Sequence, residues 1–353
     1  VCHSVLSVEG RCVSDNCDGD NDIYDLGIGT DDNNRLSRIE RLEWRASKGL
    51  AKWGKALARA GAETWRAFAK LNLELRVGGK RRDGYHEVRT ILQTIDLYDE
   101  IQVSPAPAFE FATTHGPSGD SNLVVRAVRA FETETAVPVL ARLELRKRIP
   151  SGAGLGGGSA DAATTILGLD RRFQTRMSGE RLLAILEGLG ADVPFFAVGG
   201  RALAVGRGET LFPLPPERPY WIVLVNPGLS IETAKAYSWL TESHRFNNML
   251  GFCARFVSLH GDGERALETG PNDFETPIFH RFPELAEVKR RLLSCGARFA
   301  SLTGSGASLF GQFTSESEAR EAVGSLGSEF DATLTRPVGR NDYWRGMFGK
   351  HAL

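Results

Sequence analysis

The chain has 353 residues, 42% hydrophobic and 25% charged, with 43 Lys plus Arg against 44 Asp plus Glu. That length exceeds what one hydrophobic core usually organises, and the composition is globular, which excludes fibrous and wholly disordered classes. The charge balance gives no general pull toward nucleic acid or an anionic membrane, and no run nears the roughly 18 apolar residues that span a bilayer.

Residues 13–34 carry seven Asp, no Lys or Arg and few apolar side chains, a composition that cannot bury enough surface to order itself. Asp18, Asp20 and Asp22 have the spacing of a calcium loop, but Ile23 stands where the turn needs Gly and Gly29 where Glu would close the site. Residues 35–60 read as a basic amphipathic helix, with Leu36, Ile39, Leu42, Leu50, Trp53 and Leu57 set among Arg and Lys. Such a helix suits a solvated surface and equally a partner or membrane-surface contact. Residues 1–8 lead into polar, acidic sequence, unlike a secretory signal, and the five cysteines match neither a zinc spacing nor a disulfide framework. A reducing, cytoplasmic setting is the expectation.

At Trp65 the period changes to two, which predicts a half-buried strand over residues 65–77 with Lys70 and Asn72 side by side on its polar face. That face is either solvated or the wall of a site. Residues 78–84 read as a turn, 88–97 as a strand, 122–134 as a helix and 141–148 as a strand. The last runs into Pro150, Gly152, Gly154, Leu155, Gly156, Gly157, Gly158 and Ser159. A helix opens near Ser159 and continues through 161–169; another follows over 179–189, stopped at Gly190. The proline-rich segment 212–219 reads as a boundary. Beyond it, strands are expected at 221–225, 298–302 and 309–313, and helices at 233–240 and 283–294. The mix indicates two α+β domains.

The glycine run is the most informative feature. No Gly-Lys-Ser or Gly-Lys-Thr occurs, which excludes the P-loop. Gly152, Gly154 and Gly157 satisfy the dinucleotide fingerprint, but Pro150 sits at the strand exit, and the stretch 171–179 supplies no strand-end acid for a ribose. What remains is backbone without side chains opening onto a helix N-terminus, where unpaired N–H groups and the helix dipole favour phosphate.

Five blocks, in order, resemble the GHMP kinases across residues 66–315: Ala69-Lys70-Leu71-Asn72-Leu73, Asp83-Gly84-Tyr85-His86, the glycine run 150–163, the segment 190–196 around Asp192, and 302–306. The second and third resemble the branch of that family that acts on a cytidine-diphosphate-linked alcohol. Phe68 stands where the family usually has Pro, and Ala160 where a second Ser is common. The resemblance implies an α+β, two-domain GHMP kinase architecture with the active site in the cleft between domains. It places an ATP-binding domain at 63–215, a C-terminal domain at 216–345, and outside both a poorly ordered extension with a basic helix over 1–62.

The implied chemistry is ATP-dependent phosphorylation of an alcohol. Asp192 would accept the proton, although on sequence alone it is equally a helix N-cap before Val193 and Pro194. Lys70 would be the catalytic cation. Pro150, Gly152, Gly154, Leu155, Gly156, Gly157, Gly158 and Ser159 would hold ATP, while Asn72, Tyr85, His86, Thr233 and Tyr237 would hold the acceptor. Mg2+ is expected on the phosphates, with Ser159 as the candidate protein ligand. The expected partner is a small-molecule substrate, with no nucleic acid or membrane, for a monomer or homodimer. A GHMP kinase for mevalonate, homoserine or a sugar would not need residues 83–86, and a silent nucleotide-binding protein would not need both Lys70 and Asp192.

Overall fold

A long antiparallel hairpin, β1 (Glu63–Lys80) and β2 (His86–Pro105), organises the protein. Its turn is specified locally: Asp83 Oδ1 accepts the Tyr85 N–H at 3.1 Å, and Gly84 takes φ +87°, where a side chain would be strained. The computed structural model describes residues 61–215, 219–240 and 270–349, all within one compact unit. The acidic segment and basic helix read from the sequence lie outside the described residues.

β2 is long enough to pair three ways. Along most of its length it meets β1; its end meets β4 (Ala141–Arg146), and its start meets β5 (Arg201–Gly206). With β3 (Glu110–Thr113) beside β4 and β6 (Thr210–Pro213) beside β5, the sheet runs β3-β4-β2-β5-β6, with β1 on β2. Helices α1 (Leu123–Thr135), α2 (Gly157–Phe173), α3 (Gly179–Leu189) and α4 (Phe195–Val198) cover it. Asn122 caps α1 by accepting the Val124 N–H. Trp65, Phe131, Leu143, Ile166 and Phe173 fill the core beneath, and α2 comes so close that a Cβ on Gly168 would lie 2.5 Å from the Trp65 ring.

A second sheet, β10-β7-β9-β8, is built from β7 (Trp221–Asn226), β8 (Phe299–Leu302), β9 (Leu309–Phe313) and β10 (Asp331–Thr335). Around it lie α5 (Thr233–Ser238), α6 (Glu275–Arg281), α7 (Pro283–Ser294) and α8 (Glu316–Leu326). The last helix, α9 (Arg340–Phe348), returns to the first sheet, where buried Tyr343 packs on Phe68 at 5.6 Å and donates its hydroxyl hydrogen to the Phe196 carbonyl. Phe68 thus fills a hydrophobic seat under α9 at the position where the family pattern has Pro.

Three expectations need correction. The strand over 65–77 is not half-buried: Ala69, Leu71 and Leu73 pack on Ile222, Leu224 and Phe310 of the second sheet, while Lys70, Asn72 and Glu74 on the opposite face are also buried. Alternation reports which residues share a face, not whether water reaches the polar one. The segment 212–219 is not wholly a boundary, because Phe212 and Pro213 pair with Leu203 and Ala202; Pro213 is tolerated there because β6 is an edge strand. Asp192 does not cap a helix: α4 begins at Phe195 with Pro194 at its N-cap and no side-chain cap bond.

Candidate active site

A cavity of about 450 Å³ is lined by Lys70 and Asn72 from β1, the whole loop from Pro150 to Ser159, Asp192, the β5–β6 turn at Arg207, and Thr233, Tyr237 and Phe274. Residues 304–306, the segments 115–117 and 121–123 that lead into α1, and Leu145, Lys147 and Asp161 add to the wall. Of this lining the sequence names the glycine loop, Lys70, Asn72, Asp192, Thr233 and Tyr237, but not the 115–123 wall, Lys147 or Arg207.

The loop is a cradle made of backbone. Gly152, Gly154 and Gly156 all have φ near +70°. A Cβ on Gly154 would collide with the Thr303 carbonyl, and one on Gly156 would sit 3.1 Å from the Lys70 side chain and 3.0 Å from Phe196. α2 starts at Gly157 with Gly156 at its N-cap and no side chain capping it, so its first N–H groups are presented to the cavity instead of to a cap.

Lys70 is held at the centre. Its backbone N–H donates to the Leu155 carbonyl of the loop at 3.0 Å, at the point where the β1–β2 register shifts between Phe68 and Lys70. Its Nζ donates to Asn72 Oδ1 at 2.5 Å and to the Gly154 carbonyl at 2.9 Å, and stands 3.7 Å from Asp192 Oδ2. Burial draws the Lys70 pKa below the ordinary lysine value, and the Asp192 carboxylate pulls it part of the way back. Asp192, 46% exposed, opens toward the cavity. Asn72, which lines the cavity as expected of a substrate-binding residue, donates to Thr90 Oγ1 at 2.7 Å and accepts from Lys70.

The acceptor residues group less simply. His86 stacks on Tyr237 with ring centres 5.2 Å apart, and Tyr237 meets Phe274 edge-on at 4.9 Å. Burial, then the Asp192 carboxylate, push the Tyr237 phenol well above its usual pKa, so it stays a neutral donor. Thr233 Oγ1 lies 3.1 Å from Ser305 Oγ. Tyr85 is 55% exposed at the rim and does not line the cavity itself; the Arg207 guanidinium covers its ring at 5.2 Å.

Several contributors have no sequence signal of their own. Arg207 reaches Tyr85 from a turn whose Gly208 abuts Asp192. Asn272 donates to the Leu302 and Gly304 carbonyls, each at 2.8 Å, and so shapes 302–306. Beside the loop, Lys147 Nζ bridges Asp99 and Asp161, the latter at 2.7 Å. Burial raises the Asp161 pKa, Lys147 opposes the rise and Asp99 adds to it. Asp161 Oδ1 has no partner among the described residues.

A cleft of this kind, with a glycine cradle on one side and a cation–carboxylate pair facing it, defines a small-molecule phosphotransferase. The GHMP kinases N terminal domain family matches residues 122–200, and the GHMP kinases C terminal family matches 260–332. A 4-diphosphocytidyl-2-C-methyl-D-erythritol kinase of Solibacter usitatus (strain Ellin6076) is 42% identical over 81% of this chain and 93% of its own length. One of Prosthecochloris aestuarii (strain DSM 271 / SK 413) is 38% identical over 76% of this chain and 96% of its own. A crystal structure of 4-(cytidine 5'-diphospho)-2C-methyl-D-erythritol kinase superposes with a TM-score of 0.69 at 35% identity, over 78% of this chain and 99% of that one. The chain belongs to the 4-diphosphocytidyl-2-C-methyl-D-erythritol kinase family of GHMP kinases.

Proposed function

We propose that this chain transfers the γ-phosphoryl group of ATP to the 2-hydroxyl of 4-(cytidine 5'-diphospho)-2-C-methyl-D-erythritol. One observation carries the reading: a single cavity holds the glycine cradle, the Lys70–Asp192 pair and the aromatic Tyr237, with His86 stacked behind it. Phosphoryl transfer asks the protein for alignment, charge neutralisation and a proton acceptor, with little covalent work.

In this reading ATP lays its phosphates on Gly152, Gly154, Leu155, Gly156, Gly157, Gly158 and Ser159, with Pro150 closing the strand exit. Asp192 takes the proton of the hydroxyl. Lys70, oriented by Asn72, keeps Asp192 ionised and meets charge developing on the transferred group. Tyr85, His86 and Tyr237 read the cytosine, Thr233 bonds the polyol end, and Arg207, between Tyr85 and the Asp192 segment, offsets the charge of the diphosphate that joins them.

The side chains fit a magnesium ion carried in on the phosphates better than a protein cage: among the described residues no three His, Cys, Asp or Glu cluster as ligands, and Mg2+ typically takes one or two protein ligands. When bound, it would neutralise the β- and γ-phosphate oxygens; the Ser159 hydroxyl on the first turn of α2 would hold it.

The test is ADP release by the purified full chain with ATP and one acceptor at a time. A kcat/KM at least 100-fold higher for the cytidine-linked polyol than for mevalonate or homoserine is expected; equal rates with all three would overturn the substrate assignment.

A further inference from the structure

We propose that the buried triad Asp99–Lys147–Asp161 is a clip that fixes both ends of the glycine loop in its phosphate-binding shape before ATP arrives, making Lys147 a positioning residue for the nucleotide. The proposal rests on the reading that ATP phosphates lie on this loop.

The need for such a device follows from the loop itself. Three of its residues, Gly152, Gly154 and Gly156, have positive φ, and glycine loses more backbone freedom on ordering than any other residue. A loop ordered only by its ligand would charge that entropy against ATP affinity; one held beforehand does not.

The contacts fall where a clip requires them. At the leading end, Asp99 Oδ1 accepts the backbone N–H groups of Arg148 and Ile149, the latter at 2.8 Å, immediately before Pro150. At the trailing end, Asp161 lies on the second turn of α2 and receives Lys147 Nζ at 2.7 Å. The same ammonium donates to Asp99 Oδ2, so one group joins the two ends. Asp99 sits on β2 opposite Ala67 of β1, which anchors both ends to the same paired strands. The middle of the loop is held independently, by Lys70 on the Leu155 and Gly154 carbonyls.

The triad lies against the cavity rather than in a remote core. Lys147 and Asp161 both line it, and Lys147 Nζ would be 3.2 Å from a Cβ on Gly157, at the junction of loop and helix. Lys147 is only 11% exposed, Asp161 4% and Asp99 not at all. Buried ionic groups are poor stabilisers compared with well-packed apolar side chains, so a triad of them here is better explained by the geometry it imposes than by the stability it adds.

Asp161→Ala cuts the trailing tie while leaving Lys147 paired with Asp99, and Ala suits its place among Ala160, Ala162 and Ala163. Lys147→Met cuts both ties. The control is Leu186→Ala, a fully buried α3 position that loosens the same core without touching the loop sequence or the triad. Each full-length variant is measured by calorimetric ATP titration, by acceptor titration, and by hydrogen exchange of residues 148–160 in the ligand-free protein. Asp161→Ala is expected to raise the ATP Kd about tenfold and speed exchange across the loop, with acceptor Kd within twofold. Lys147→Met should do at least as much, and if it does not fold, Asp161→Ala decides alone. Leu186→Ala should lower Tm without a selective ATP effect. Unchanged loop exchange in Asp161→Ala, or an equal ATP loss in Leu186→Ala, would overturn the clip. If the parent binds no ATP, the functional reading fails, and exchange in the free protein still judges the clip.

Discussion

Asp192→Asn separates an enzyme with a positioned base from one that merely aligns two ligands. The change keeps size, removes the carboxylate charge and replaces one acceptor oxygen by an amide NH2. Structurally it is mild, because Asp192 caps no helix and its ion pair is with Lys70 at 3.7 Å. At an effective dielectric of ~20 that separation corresponds to about 4 kcal/mol of bare attraction. Solvent at a 46% exposed Asp192 screens it toward the ~1 kcal/mol of exposed pairs, about fivefold in an equilibrium or rate. Loss of general-base assistance costs roughly 10²- to 10⁴-fold, about 3–5 kcal/mol. The two roles therefore predict different rates. Single-turnover phosphoryl transfer at saturating ATP and acceptor should fall at least 100-fold, with ATP Kd changed less than threefold. A rate within fivefold of the parent sinks Asp192 as the base and leaves it only the pairing role. The pH profile gives a second reading. Burial already lowers the Lys70 pKa and Asp192 opposes that shift, so removing the carboxylate lowers it further. The protonated ammonium is then lost at lower pH, and the alkaline limb of the residual rate should move to lower pH in the Asn variant; a limb that stays in place refutes Lys70 as the titrating cation.

Three further outcomes are expected. Gly154→Ala, at φ +77° with its Cβ driven into the Thr303 carbonyl, should abolish measurable ATP binding or folding, and near-parent ATP affinity by calorimetry would mean the cradle is not as drawn. Tyr85→Ala and Tyr237→Leu should each weaken acceptor binding by about 1–3 kcal/mol with little effect on ATP, checked by separate titrations; equal losses for both ligands would assign these rings to the core. Deleting residues 1–60 should leave kcat/KM within threefold, because every residue assigned to the site lies between Lys70 and Gly306; a tenfold loss in a folded truncation would give that segment a part in catalysis.

The sequence exposed those parts of the site whose chemistry is local. Lys70 and Asn72 were legible because two residues apart on a strand share a face, and the hydrogen bond between them bears that out. The glycine run was legible because a strand, a run of small residues and a helix start follow one another within one stretch of chain. What stayed hidden depends on pairings between distant segments. Asp99 and Lys147 are 48 residues apart and have no motif of their own; they meet because β2 and β4 pair with Glu100 opposite Arg146, one step away. Arg207 needed the β5–β6 turn to be recognised, and both strands are short, six and four residues, too short for alternation to speak. α6, α8 and α9 were missed as well, and α9 matters most, because its Tyr343 explains Phe68.

That last contact shows why departures from a family pattern are worth following into the structure. Pro at position 68 would remove a backbone N–H and could not fill the space beneath α9. Phe68 fills it, 5.3 Å from Tyr98 and 5.6 Å from Tyr343, so close to α9 that a Cβ on Gly346 would lie 2.7 Å from its ring. Tyr343 in turn bonds the Phe196 carbonyl, on the short helix that directly follows the Asp192 turn. The aromatic substitution two residues before Lys70 thus ties β1, α9 and the Asp192 segment into one packed unit. The separation of Lys70 and Asp192 is set by that packing as much as by their mutual attraction, because a pair this exposed to water on one side is too weak to position itself.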